Sequence, residues 1–167
     1  GSEMCIRDSD GTTTIAEFTG AGANRVYKTI DQIPEDLQHA FVAIEDSRFY
    51  KHNGVDIQGI IRAFVVGITH GGNFSEGAST ITQQLIKNNV FPDFVNESTF
   101  EEKLERKIQE QYLAIQVEKQ LDKDSILESY LNTINLGQDC LGVQSAAQRY
   151  FNKDVNELNL SESATIA

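Results

Sequence analysis

The sequence predicts a mainly α-helical fold, on three observations. Apolar residues recur at helical spacing in one stretch after another from Leu37 onward, most of these stretches follow a recognisable helix start, and β-type alternation is confined to a short region before Lys28. The 167 residues are one domain's worth of chain, and a 40% hydrophobic content is enough to bury a core.

Residues 1–10 read as a tag or poorly ordered leader, since Glu3 to Asp8 has no pattern, and residues 11–167 read as the domain. Thr12 to Phe18 and Arg25 to Lys28 flank Gly20-Ala21-Gly22 and predict a small β-hairpin. Ile33-Pro34-Glu35-Asp36 then starts a helix, with acidic residues in its first turn. Asp56 is placed to cap a second helix through Gly67, whose wide apolar surface (Ile57, Ile60, Ile61, Phe64, Val65, Ile68) fits either a buried helix or one dipping into a membrane surface. Gly71 to Gly77 has the composition of a mobile loop.

Ser79 is the expected N-cap of the next helix, whose free amides would form an anion site. Thr80, Gln84 and Lys87 share one face of it, with Ile81 and Leu85 opposite, and Phe91-Pro92-Asp93 ends it. A long helix follows from about Phe100 to Leu121. Leu104, Ile108, Tyr112 and Ile115 are its expected core stripe, and Lys103, Arg106, Lys107 and Glu110 share another face. Asp122 or Ser125 caps a helix burying Ile126, Leu127, Tyr130, Leu131 and Ile134. A further helix carries Val143, Ala146, Ala147, Tyr150 and Phe151, and Ser161 to Ala167 opens another.

The most unusual stretch is Phe41 to Gly54. Leu37, Phe41 and Ile44 repeat at helical spacing, and Glu45 stands in one i, i+4 row between Phe41 and Phe49. A carboxylate in an aromatic row is costly to desolvate and so marks a candidate catalytic group. Asp46, Arg48, Lys51 and His52 surround it with polar chemistry, and Gly54 permits a sharp exit.

Composition excludes several classes. A net charge of −11 is the wrong sign for a nucleic-acid binder, so any anionic ligand must be held by a local cluster of bases. Cys5 and Cys140 form no disulfide framework, and the most apolar run, Ile57 to Ile68, is too short to span a bilayer and is interrupted by Arg62. His39, His52 and His70 lack zinc spacing; no nucleotide-type glycine loop or nucleophile elbow is present.

Four motifs in order nevertheless resemble those of one family. Glu45-Asp46-Ser47-Arg48-Phe49-Tyr50-Lys51-His52-Asn53-Gly54 is similar to the first motif of the peptidoglycan glycosyltransferases, glycosyltransferase family 51. Gly77-Ala78-Ser79-Thr80-Ile81-Thr82-Gln83-Gln84 resembles the second, Arg106-Lys107-Ile108-Gln109-Glu110 the third, and Lys123-Asp124-Ser125-Ile126-Leu127-Glu128-Ser129-Tyr130-Leu131-Asn132 the fourth. The resemblance covers roughly Gly11 to Ala167.

The resemblance implies a lysozyme-like globular lobe with a small membrane-contacting jaw lobe, to which Ile57 to Ile68 would belong. It implies lipid II and the growing glycan chain as substrates, at the outer face of the bacterial cytoplasmic membrane. In that chemistry the 4-hydroxyl of lipid II attacks the anomeric carbon of the donor, and inversion yields a β-1,4 glycoside and undecaprenyl pyrophosphate. Glu45 would be the general base, and an ordinary glutamate is ionised at neutral pH as a base must be. Glu110 would be the second catalytic carboxylate. The resemblance places Asp46, Phe49, His52, Ser79, Thr80, Gln83, Gln84, Lys87, Asn88, Arg106, Lys107, Tyr130 and Asn132 in substrate binding, with the bases against the leaving pyrophosphate. No cofactor is required and no metal-ligand set is expected; magnesium or manganese assists some members.

A moenomycin-type inhibitor and a C-terminal transpeptidase domain in the parent protein are further implied partners. The family's N-terminal anchor is expected to be missing from this chain, and its last motif to be truncated at Ala167. Two other readings compete. One is a lysozyme-like hydrolase or lytic transglycosylase, which needs no basic pyrophosphate face; the other is a truncated, non-catalytic lipid II-binding module.

Overall fold

The computed structural model describes residues 4–7, 14–18, 26–69, 79–91, 94 and 96–167. Among them, α1 (Glu35–Glu45), α2 (Ile57–Thr69), α3 (Ile81–Val90), α4 (Phe100–Gln120), α5 (Lys123–Thr133), α6 (Val143–Phe151) and α7 (Leu160–Ile166) make the fold mainly helical. The strands β1 (Met4–Arg7) and β2 (Thr14–Phe18) pair antiparallel, with Met4 opposite Phe18. The expected loop at 71–77 lies outside the described residues.

The expected pairing of Thr12–Phe18 with Arg25–Lys28 is corrected: β2 pairs with β1, and residues 26–29 run outside any strand. The cause is α5. Asn132 Oδ1 accepts from the Lys28 amide at 2.8 Å, and its Nδ2 donates to the Lys28 carbonyl at 2.8 Å. Glu128 accepts from the Ile30 amide at 2.6 Å. These side chains satisfy the backbone groups a neighbouring strand would otherwise take.

Helix starts follow from short polar side chains. Thr80, rather than the expected Ser79, caps α3, with Gln83 closing a capping box; Thr99 and Glu102 do the same for α4. Asp122 caps α5 by accepting from the Ser125 amide at 2.8 Å, and Asp56 accepts from the Gly59 amide at 3.0 Å at the start of α2. α3 is the central element, packed against α4 and α5, while α1 packs on α7. Ile81, Leu85 and Ile86 of α3 are buried with Leu37, Phe41, Phe49, Leu127 and Leu131. Each such side chain contributes about 1.5–3 kcal/mol through burial.

The apolar face of α4 is the main departure. Leu104, Ile108, Tyr112 and Ile115, the expected core stripe, are exposed, as is Phe100 at 77%; Glu110, Ala114 and Val117 face the interior instead. On α2, Ile57, Ile60, Ile61 and Val65 are exposed as well, so these residues do not make α2 a buried helix. Ile57 and Ile115 line one depression, which brings the two exposed apolar faces together. Periodicity identifies an apolar stripe but not the medium it meets.

Gly54 ties the Glu45 segment to this frame. Its φ is +88°, and a Cβ there would lie 2.6 Å from the backbone of Ala114 in α4. Its carbonyl accepts from Thr80 Oγ1 at 2.7 Å, so one residue is clamped between α3 and α4. Gly54→Ala is therefore expected to lower stability by roughly 2–4 kcal/mol, from left-handed backbone strain plus overpacking, read as an earlier urea midpoint at unchanged slope.

Candidate active site

Glu45 is the last residue of α1, half-buried, one turn after Phe41. Its Oε2 accepts from Gln84 Nε2 of α3 at 2.7 Å. Gln84 Oε1 in turn accepts from the Tyr130 hydroxyl of α5 at 3.3 Å, so three helices meet at one carboxylate. The Tyr130 ring is fully buried and meets Phe41 edge-on, with centroids 6.0 Å apart. Burial and the charge of Glu45 push the Tyr130 hydroxyl well above the usual tyrosine range, so it stays protonated. Glu45, Asp46, Ser79, Thr80 and Arg62 line a cleft of about 270 Å³.

Asp46 borders this cleft with its carboxylate engaged by the frame, and His52 pairs with it from outside the cleft lining. Asp46 is buried; it accepts from the Ile81 amide at 3.1 Å and from His52 Nε2 at 2.9 Å. Thr80 Oγ1 accepts from the Gln83 amide at 3.2 Å, and Gln83 Oε1 accepts from the Thr80 amide at 3.1 Å. The anion site expected at the start of α3 is thus occupied in part by the protein's own acceptors, because Asp46 reaches the first amide of the helix. Phe49 is buried under Lys123, whose ammonium lies 4.3 Å from the ring centroid. Arg48 forks onto Asp56, its Nε donating at 3.1 Å. Burial works against the Asp56 charge, but Arg48 and the Gly59 amide hold its carboxyl below the usual range.

The third motif forms a closed electrostatic unit. The Glu110 side chain is 0% exposed and pairs with Arg106 and, at 2.8 Å, with Lys107. Arg106 Nε also donates to Glu97 at 2.7 Å, and Lys107 Nζ to Ser79 Oγ at 3.0 Å. Two cations and two carboxylates balance, so Arg106 and Lys107 do not form the uncompensated anion face that helical spacing suggests. Burial opposes the Arg106 charge, but Glu97 and Glu110 more than offset it. Lys107 remains 40% exposed and reachable. Lys87 lies 4.9 Å from the Phe94 ring centroid, and Arg106 lies over the same ring at 5.6 Å. That aromatic anchor carries no motif signal in the sequence; Asn88 is half-buried beside Lys87.

The structure therefore brings Glu45, Ser79, Thr80 and, through Ser79, Lys107 and Glu110 to one region. It places Asp46, Phe49, Gln83, Tyr130 and Asn132 in the supporting frame, buried and with their polar groups engaged. Among the described residues no group of three or more His, Cys, Asp or Glu side chains could hold a metal ion. The magnesium or manganese that the resemblance allows would have to be held by something other than such a group of those residues.

Fold and site together define a helical enzyme domain centred on a positioned carboxylate. The transglycosylase family model matches residues 11–167, and the chain belongs to that family. It is 53% identical over 137 residues to penicillin-binding protein 1A of Clostridium perfringens strain 13, covering 80% of this chain and 19% of that protein. It is 51% identical over 164 residues to penicillin-binding protein 1A of Escherichia coli K12, covering 98% of this chain and 18% of that protein. The chain spans about a fifth of the length of these relatives.

Proposed function

We propose that this chain is a peptidoglycan glycosyltransferase domain that polymerises lipid II into β-1,4-linked glycan by inverting transfer, releasing undecaprenyl pyrophosphate. The observation that carries the reading is Glu45, held at the cleft by Gln84 with its second oxygen, Oε1, unpartnered among the described residues. That oxygen takes the proton of the acceptor's 4-hydroxyl as it attacks the anomeric carbon. The leaving pyrophosphate needs positive charge rather than an acid, and Lys107 and Lys87 are the cations suited to it. Glu110 holds Arg106 and Lys107 in place for that task.

The reading extends to a lysozyme-like lobe and a jaw lobe at the outer face of the cytoplasmic membrane. The exposed apolar faces of α2 and α4 support it, since Phe100, Leu104, Ile108, Ile57 and Ile61 form a surface suited to lipid. No helix among the described residues is long and apolar enough to cross a membrane. Moenomycin-type inhibitors would compete at the same cleft, and a transpeptidase domain belongs to the proposed parent protein.

Incubation with purified lipid II tests the assignment. Glycan polymer of increasing length is the expected product. Clearing of cell-wall sacculi without polymer would make the domain a hydrolase, and saturable binding of lipid II without turnover would make it a binding module.

A further inference from the structure

We propose that Tyr130 is a positioning residue for the general base: through the Gln84 amide, its hydroxyl fixes which oxygen of Glu45 receives the acceptor's proton. The inference rests on the assignment of Glu45 as that base and deepens it. Tyr130 is fully buried and is absent from the lining of the Glu45 cleft, so it acts through Gln84 and not on substrate.

A glutamine amide has two ends of nearly equal shape, a carbonyl and an NH2, and its partners decide which way it faces. The Tyr130 hydroxyl donates to Gln84 Oε1 at 3.3 Å, which turns Gln84 Nε2 toward Glu45, 2.7 Å away. Glu45 Oε2 is thereby committed to the amide, and Oε1 is left to the incoming hydroxyl. While Glu45 is ionised, its own charge disfavours a flipped amide. Once it has taken the proton on Oε1 that protection weakens, because the neutral acid no longer repels a carbonyl turned toward Oε2, and a flipped amide would leave Oε2 without its donor when the base is regenerated. A tyrosine that donates to the carbonyl opposes this flip at the point in the cycle when the carboxylate cannot.

Two features keep Tyr130 in that role. Its ring is locked edge-on against Phe41, which sits one turn before Glu45 on α1. Burial and the neighbouring carboxylate hold its hydroxyl in the protonated, donating form. Tyr130 therefore couples the resting geometry of α1, α3 and α5 to the reset of the base after each transfer.

Tyr130→Phe keeps the ring and removes only the donor. In lipid II polymerisation it is expected to lower kcat about three- to tenfold, the weight of one neutral hydrogen bond, with KM unchanged. Added to Gln84→Ala, it should slow the enzyme no further, because the relay is already broken. Wild-type kcat, an effect confined to KM, or full additivity with Gln84→Ala would overturn the proposal, as would a Tyr130→Phe chain that does not fold. The side-chain amide signal of Gln84 in 15N NMR gives a readout free of activity. Slow, single-state amide protons in the wild type should become exchange-broadened in Tyr130→Phe, and an unchanged signal would overturn the relay. A wild-type chain that makes no polymer but shows the NMR change would instead discredit the assigned reaction.

Discussion

Glu45→Gln should abolish glycan polymerisation while leaving the fold intact. The expected loss in kcat is about 10²- to 10⁴-fold, the usual contribution of a positioned general base. The substitution is nearly isosteric, and among the described residues Glu45 forms no ion pair and has Gln84 Nε2 as its hydrogen-bond partner, which can donate to an amide carbonyl as well as to a carboxylate. A half-buried position with one replaceable hydrogen bond should cost no more than about 0.5 kcal/mol, so the melting temperature should hardly move. Lipid II binding should also persist, because the variant alters proton acceptance rather than the cations. Product chains resolved by gel electrophoresis give the rate, and inhibitor binding reports the integrity of the cleft. Polymerisation at more than a tenth of the wild-type rate would remove Glu45 from the role of base.

Much of this was legible in the sequence, and the limits have physical causes. The positions of α1, α3 and α5 follow from apolar periodicity and short polar caps, whose determinants are local. The orientation of α4 is not local. Leu104, Ile108, Tyr112 and Ile115 make a sound apolar stripe, but they face away from the protein, and the buried face carries Glu110. A rule that equates apolar with interior fails on a helix whose apolar side meets something other than this domain. The strand pairing failed for a related reason. Nothing in residues 25–28 announces that Asn132, more than a hundred residues later, will take both backbone partners of Lys28.

The site shows the same division. Glu45 was conspicuous as a carboxylate in an aromatic row, and the third motif was conspicuous as clustered charge. What spacing could not reveal is which polar residues face the cleft and which hold the frame. Asp46 reads as a second acid next to the first, yet it accepts from the first amide of α3 and from His52. The basic cluster of Arg106 and Lys107 reads as an anion site, yet Glu110 and Glu97 balance it. Only three-dimensional pairing distinguishes free charge from compensated charge.

That compensation makes Glu110→Gln the second large effect. The Glu110 side chain is 0% exposed and faces two cations, Arg106 at 12% and Lys107 at 40% exposure. Removing one partner of a buried pair usually costs about 3–5 kcal/mol, because the remaining charge is left desolvated. Here the cost should lie at or below the lower end of that range of about 3–5 kcal/mol, since Arg106 keeps Glu97 and Lys107 can turn toward solvent. At about 2–4 °C per kcal/mol for a domain of this size, a clear fall in melting temperature is expected. Activity should fall by roughly 10²-fold even at temperatures where the variant is folded, because the cations assigned to the pyrophosphate lose their anchor. A second change separates the two effects. Glu110→Gln combined with Lys107→Gln leaves Arg106 and Glu97 as a balanced pair, and much of the lost stability should return. Activity should not return, because charge balance restores the fold without restoring a positioned cation. If the double variant regained both, Glu110 would be a counter-ion and nothing more and Lys107 would be dispensable to the leaving group, so the place of both in the chemistry would have to be given up.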